Sequence, residues 1–271
     1  MLDVSKEAGA YGVGAAYIEN RLRLIKAMNP QGRLITAHGG FLQSNTCPPE
    51  LCSMSTQETH FTHAEGNSMA HTQSIWYGNL TSWVRPRQEM PVLMAEFYYE
   101  QGAIMPCIGK ACVKSPQELI YMRMVMWDTT MAGLSFNWYN TDLAWDIIVP
   151  NTTSAGFRYV KILSNFWRGV GFEAMEPRND MLTSVSPSKA TVHCLASGAE
   201  VVVHVRTARA TFGLNVTGTL SAGSWYDPEN GHRTPARPAV DYTSAKVSYT
   251  QPTSIAGDAV LHLKRVGAGA T

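Results

Sequence analysis

The rhythm of apolar and polar positions changes twice along this chain. Over residues 8–28, Tyr17, Ile18, Leu22, Leu24, Ile25 and Met28 recur among Glu19, Arg21, Arg23 and Lys26, a helix-period stripe that stops at Asn29-Pro30. A Gln31-Gly32 turn then leads into RLITAH, residues 33–38, which reads as a short buried strand closed by Gly39-Gly40. Residues 41–66 are rich in Ser, Thr, Pro, Cys and His and read as long loops around a strand near 51–56. Helical spacing returns over 68–84, with Ile75, Trp76, Leu80 and Trp83 on one side.

PVLMAEFYYE, residues 91–100, is an apolar run ending in a carboxylate and followed by three aromatics and a second carboxylate. Such a run reads as a buried strand, and a Glu at its C-terminal end sits where barrel enzymes place their chemistry. Glu96 is therefore the first candidate; the competing reading makes it a strand-end residue bonded to nearby backbone. Ser115-Pro116-Gln117-Glu118 combines an N-cap Ser, Pro at the first helical position and Glu two further on, so a helix is expected to about Met131. A strand over 133–138 follows, its end carrying Asn137, Trp138 and Tyr139, and a further helix fits 155–167. Alternating helices and strands predict a parallel sheet with covering helices.

From about Asn179 the rhythm becomes short and β-branched: 191–195, 200–206, 211–216, 220–226, 245–250 and 259–266 are parted by turn residues such as Asp227-Pro228-Glu229-Asn230-Gly231. Strands at this spacing argue for an antiparallel β-sandwich. The expected organisation is thus α/β: a barrel-like domain over 1–178, then a sandwich over 179–271.

Composition narrows the partners. With 45% hydrophobic and 16% charged residues the chain is globular, and a net charge of +1 gives no reason to expect nucleic acid or an anionic membrane. A weakly charged ligand such as a carbohydrate fits better, and the 10% aromatic share, with seven Trp, could supply stacking faces or simply core. No leader or membrane-spanning run is visible, and localisation stays unassigned. Asn79, Asn151 and Asn215 lie in N-x-[ST] sequons, which matter only in a eukaryotic secretory pathway. Of the five cysteines, Cys47/Cys52 and Cys107/Cys112 share C-x4-C spacing, which without a second pair reads as loop disulfides or plain thiols. No metal and no cofactor is expected.

Three stretches together resemble the C-terminal half of a (β/α)8-barrel glycoside hydrolase of the apiosidase-like group, whose barrel is followed by a β-sandwich of the collagen-binding type. PVLMAEFYYE is similar to that family's seventh barrel strand, RMVMWDTTMAGLSFNWYN to its helix and Gly-containing eighth strand, and SWYDPENGH to a hairpin of the appended sandwich. The resemblance implies a partial barrel, a carbohydrate substrate, and Glu96 as nucleophile. In that family the acid stands in an Asn-Glu pair ending strand four, and MLDVSKE holds no apolar strand ending so, which leaves the acid expected to be missing. Glu100, Glu58, Glu65, Asp142 and His38 fall near predicted C-terminal strand ends and could substitute, with Glu100 nearest in sequence.

Tyr99, Trp138, Tyr139 and Trp145 could line a sugar subsite together with His38 and Asn137, or could be packing. Arg123, on a helix facing the sheet, needs a carboxylate partner such as Glu96 or Glu100 if buried. A serine-type esterase is the enzyme rival, but G-x-S-x-G is absent and Ala132-Gly133-Leu134-Ser135-Phe136 lacks the second Gly. A carbohydrate-binding protein without catalysis is the other rival. The open sheet edges of a half-barrel predict a homodimer or a sandwich packed over the gap.

Overall fold

In a computed structural model, the structure describes residues 2–3, 14–36, 50–53, 55–58, 77, 81, 91–101, 116–141, 155–216, 218–220, 223–236, 240–242 and 246–265. The chain divides into two compact units, Met1–Val113 with Leu134–Ile148, and Lys114–Gly133 with Val149–Thr271.

The first unit holds β1 (Leu2–Asp3), α1 (Ala15–Ala27), β2 (Ile35–Thr36), β3 (Ser55–Glu58), β4 (Val92–Gln101) and β5 (Ser135–Thr141). β1 pairs parallel with β2, and β3, β4 and β5 form a parallel sheet in that order. Parallel neighbours need crossover connections, and α1 supplies the one from β1 to β2. Ile18 and Leu22, four residues apart on α1, are buried with Ile35, Leu51 and Cys52, and Ile25 packs against them. The stripe is narrower than the sequence suggests: Tyr17, Leu24 and Met28 fall on a neighbouring face and stay 55%, 50% and 71% exposed. Past the helix, Asn29 donates from Nδ2 to the Arg33 carbonyl and accepts from the Arg33 N–H, and Gly32 turns the chain at φ +61°.

Several expectations shift here. MLDVSKE does contribute a strand, because two residues can pair in register without leaving an apolar signature. β3 begins at Ser55, not at residue 51; Leu51 and Cys52 instead close the small core against β2, and Cys52 is disulfide-bonded. Most of the 41–66 and 68–84 stretches lie outside the described residues. Within the latter Tyr77 is helical and buried, and Thr81 Oγ1 donates to its carbonyl at 2.9 Å.

The second unit consists of α2 (Pro116–Met131), α3 (Ala155–Trp167) and strands β6 (Glu176–Pro177), β7 (Leu182–Ser186), β8 (Val192–Ala196), β9 (Glu200–Val205), β10 (Thr211–Asn215), β11 (Gly218–Leu220), β12 (Ser224–Tyr226), β13 (Arg233–Pro235), β14 (Val240–Tyr242), β15 (Lys246–Thr250) and β16 (Ala259–Lys264). A six-stranded antiparallel sheet runs β13-β12-β16-β9-β8-β6, beside smaller sheets β15-β10-β7 and β11-β14. The run expected over 220–226 is two strands, β11 and β12.

Alternation along the strands explains the packing. Val201, Val203 and Val205 of β9, Ala259, Leu261 and Leu263 of β16, and Trp225 join Phe212, Leu214 and Tyr249 in one apolar core. The opposite positions, His193, His204, Val260, His262 and Tyr226, are buried as well, because α2 and α3 cover that face. Trp127 of α2 meets Phe166 edge-on at 5.2 Å and lies 5.8 Å from the His204 ring, while Phe166 lies 5.0 Å from Tyr226 and 5.7 Å from His262. Tyr226 donates its hydroxyl to the Ile162 carbonyl of α3 at 2.9 Å. Between β12 and β13 the turn closes on Asp227, whose carboxylate accepts from the Glu229 N–H and from Asn230 Nδ2, and Gly231 takes φ +78°.

Candidate active site

Glu96 does not end its strand. β4 runs five residues further, to Gln101, but its pairing is broken where Glu96 stands. Against β3 the register steps from Gln57↔Met94 to Glu58↔Glu96, so β4 has one extra residue. Against β5 it steps from Met94↔Phe136 to Tyr98↔Trp138, so β4 has two extra residues. The apolar half, Val92, Leu93 and Met94, is buried and regularly paired. Ala95 and Phe97 then stand outside both ladders, Glu96 keeps a register partner on β3 but has none on β5, and pairing with β5 resumes at Tyr98. A bulge of this kind bends a strand and re-aims its residues, and such bulges recur beside active sites.

The backbone places several candidates around that break. Glu58, the last residue of β3, is the register partner of Glu96. On β5, Asn137 stands between Phe136 and Trp138, opposite the extra residues of β4, and is exposed; Trp138 pairs with Tyr98 and Tyr139 with Tyr99. The indole Nε1 of Trp138 is buried with no hydrogen-bond partner among the described residues. Glu100 lies on β4 between Tyr99 and Gln101, both paired to β5. His38 and Trp145 lie outside the described residues. The three strands run parallel, so Glu58 at the end of β3, the β4 bulge and the Asn137–Tyr139 stretch in the middle of β5 stand at one level of the sheet.

Arg123 belongs elsewhere. Where the sequence suggests Glu96 or Glu100 as its partner, the structure pairs it with Asp258: Nε at 3.1 Å and Nη2 at 2.5 Å from Asp258 Oδ1, with both side chains buried. Burial would lower the guanidinium pKa, but the Asp258 carboxylate outweighs it and holds Arg123 above its usual value. The Glu229 carboxylate approaches Nη1 to 3.5 Å, and the Tyr159 ring lies 5.2 Å from the guanidinium. No residue in the chain sequence flagged Asp258, which lies 135 positions away.

Among the described residues no group of three or more His, Cys, Asp or Glu is placed to hold a metal ion. Cys194 is a free, buried thiol whose pKa burial pushes up to about 12.

No protein-family model matches the chain, and no curated protein matches it in sequence. Solved structures do match its fold. A glycoside hydrolase superposes with a TM-score of 0.64 at 14% identity over 92% of this chain and 61% of its own. A glycoside hydrolase family 5 protein from Bacteroides vulgatus ATCC 8482 gives 0.64 at 14% identity, over 93% and 60%. A GH30 endoxylanase from Clostridium papyrosolvens C71 gives 0.52 at 10% identity, over 98% and 66%. The chain therefore has a glycoside hydrolase fold and spans about three fifths of the length of the first two of these proteins.

Proposed function

We propose that this protein hydrolyses O-glycosidic bonds in a plant or microbial carbohydrate, with Glu96 as the carboxylate that attacks or stabilises the sugar cation. The observation that carries this reading is the position of Glu96 at the break in β4, the central strand of three, where its registers against both neighbours step. The glycoside hydrolase fold supports the same reading, while the partial (β/α)8 barrel, the appended sandwich and membership of the apiosidase-like group are proposed from the sequence resemblance.

Glycoside hydrolysis needs a second carboxyl group flanking the bond, about 5 Å away for retention and roughly 6.5–9.5 Å for inversion. Pairing of Leu2–Asp3 with β2 supplies a strand in the place from which the acid was expected to be missing. That strand ends in Asp3, not in an Asn-Glu pair. Among the described residues Glu58, the register partner of Glu96, and Glu100, on the same strand, are the candidates, and we assign the acid to Glu58. Tyr99, Trp138 and Tyr139 are the proposed stacking faces, with Asn137, His38 and Trp145 completing the subsite.

The serine-type alternative is disfavoured because Ser135 opens β5 opposite Leu93, at the N-terminal end of the strand, not on a strand-to-helix elbow.

The test is hydrolysis of a panel of aryl glycosides by the wild type and by Glu96→Gln. Activity in the wild type that disappears in the variant, with circular dichroism unchanged, is the expected result. Equal activity in both removes Glu96 from the chemistry. Sugar binding by a protein inactive on every substrate would favour the binding-only reading.

A further inference from the structure

The six-stranded sheet and the helices that cover it enclose a set of charges that the proposed hydrolysis does not use. At its centre is His204 of β9, fully buried. Its Nδ1 lies 3.2 Å from Asp128 Oδ1 on α2, and its Nε2 lies 3.3 Å from Asp258 Oδ2, one residue before β16. Each carboxylate has an arginine of its own: Arg206 Nη1 stands 2.7 Å from Asp128 Oδ2, and Arg123 donates twice to Asp258 Oδ1. Both aspartates are thereby held as carboxylates, so each faces His204 as an acceptor.

A neutral imidazole carries one N–H. Whichever tautomer it took here, its other nitrogen would set a lone pair against a carboxylate oxygen in a space closed to water. Only the imidazolium gives both contacts a proton. We propose that His204 is held as an imidazolium between Asp128 and Asp258, and that this proton is the latch fastening α2 to the sandwich sheet, released when the medium turns alkaline.

The surrounding charges fit that state. α2 presents Asp128, Arg123 and Tyr121; β8 presents His193, whose Nε2 is 3.6 Å from Asp128 Oδ1; Arg206 comes from the residue after β9; Asp258 precedes β16; and the β12–β13 turn brings Glu229 to Arg123. With His193 neutral, Arg123, Arg206 and a protonated His204 balance Asp128, Asp258 and Glu229. Glu229 is half exposed, so loss of the His204 proton acts chiefly by turning a bare ring nitrogen toward one of the two buried carboxylates. The direction of the His204 shift agrees: burial alone would lower its pKa, but hydrogen bonds to Asp128 and Asp258 raise it above the ordinary value. A raised folded-state pKa stabilises the fold fully below the unfolded value, about 6.5, and that contribution is lost as pH rises through the folded value.

The decisive experiment is long-range proton–nitrogen correlation spectroscopy of the full chain labelled with 15N-histidine, from about pH 6 to 10, with urea unfolding followed in parallel. At pH 7.5 the expected spectrum has both ring nitrogens of His204, assigned by its absence in His204→Gln, at imidazolium shifts. The wild-type urea midpoint should fall as His204 titrates. A His204 with one protonated and one bare nitrogen at pH 7.5 overturns the proposal. So does an alkaline fall in urea midpoint that runs parallel in wild type and His204→Gln. Should the variant not fold, His204 is assigned instead as the ring whose resonances move in Asp258→Asn, and the wild-type spectrum decides alone.

Discussion

Glu58 and Glu96 are register partners on β3 and β4, at the step where β4 takes on its extra residue. Neighbouring strands lie about 4.8 Å apart, so the backbone holds two carboxylate-bearing positions side by side at the break in the sheet.

That pair separates two roles by leaving-group dependence. A general acid matters in proportion to how poor the leaving group is, and its removal costs about 10²–10⁴-fold. In Glu58→Gln that loss is expected on alkyl glycosides and largely spared on dinitrophenyl glycosides. In Glu96→Gln the loss is expected for both leaving groups. Steady-state kcat/KM across a leaving-group series checks this, and a Glu58→Gln loss equal for both leaving groups would remove Glu58 from the role of acid.

Arg123 and Asp258 are a buried ion pair, and breaking such a pair from one side strands a charge. Asp258→Ala is expected to destabilise the second unit by about 3–5 kcal/mol, whereas replacing both partners by apolar residues should cost much less. Urea denaturation of the two single variants and the double variant measures the coupling, and additive losses would contradict it.

On the acid side two kinds of group act together. Burial would raise the Asp128 carboxyl, but Arg206, then His193 and His204, pull it below its usual range, and Asp258 is likewise held low against burial by His204 and Arg123. Their stabilising contribution is present above the unfolded carboxyl pKa of about 3.9 and is lost as pH falls through the folded value. His193 is pushed down by burial to about 3, so below about pH 6.5 the unfolded chain takes up a proton that the folded chain refuses. Urea midpoints should therefore decline from about pH 6.5 downward. His193→Gln should flatten the part of that decline above pH 4, and an unchanged slope would show that His193 is not the group responsible.

Tyr226 ties the hairpin strand β12 to the Ile162 carbonyl of α3 through its hydroxyl. Tyr226→Phe keeps the ring contacts with Trp127 and Phe166 and removes one buried hydrogen bond, for an expected loss of about 1 kcal/mol. A shift in the urea midpoint without a change in its slope is the expected signature.

Much of the strand and helix order is legible in the sequence, because apolar runs and caps are local signals. α1, α2 and α3 follow from their spacing and from Pro116, and β8, β9 and β16 from their β-branched runs. The site is legible only in part. PVLMAE identifies the buried half of β4, but an apolar run says nothing of pairing beyond it, so Glu96 reads as a strand end when it stands at a bulge within a longer strand. β1 has two residues, too few for any period to show. His204 carried a clue in its setting, a histidine inside VVVHV, where an unbroken apolar run marks a strand covered on both faces. Its partners Asp128 and Asp258, 76 and 54 positions away, could not be found by spacing.

α2 lies in chain order between the parallel strands β4 and β5, yet it shares its compact unit, and its buried charges, with the antiparallel sheets. Those sheets are therefore not a detachable module in the way that a linker-joined domain is. A chain ended at residue 178 would retain α2 and α3 but deprive Trp127 and Phe166 of the sheet that covers them and leave Asp128 and Arg123 without their partners. Recombination or shuffling that exchanges these antiparallel sheets for others would have to bring along matching positions on a helix encoded between β4 and β5, which ties the inheritance of the two stretches together.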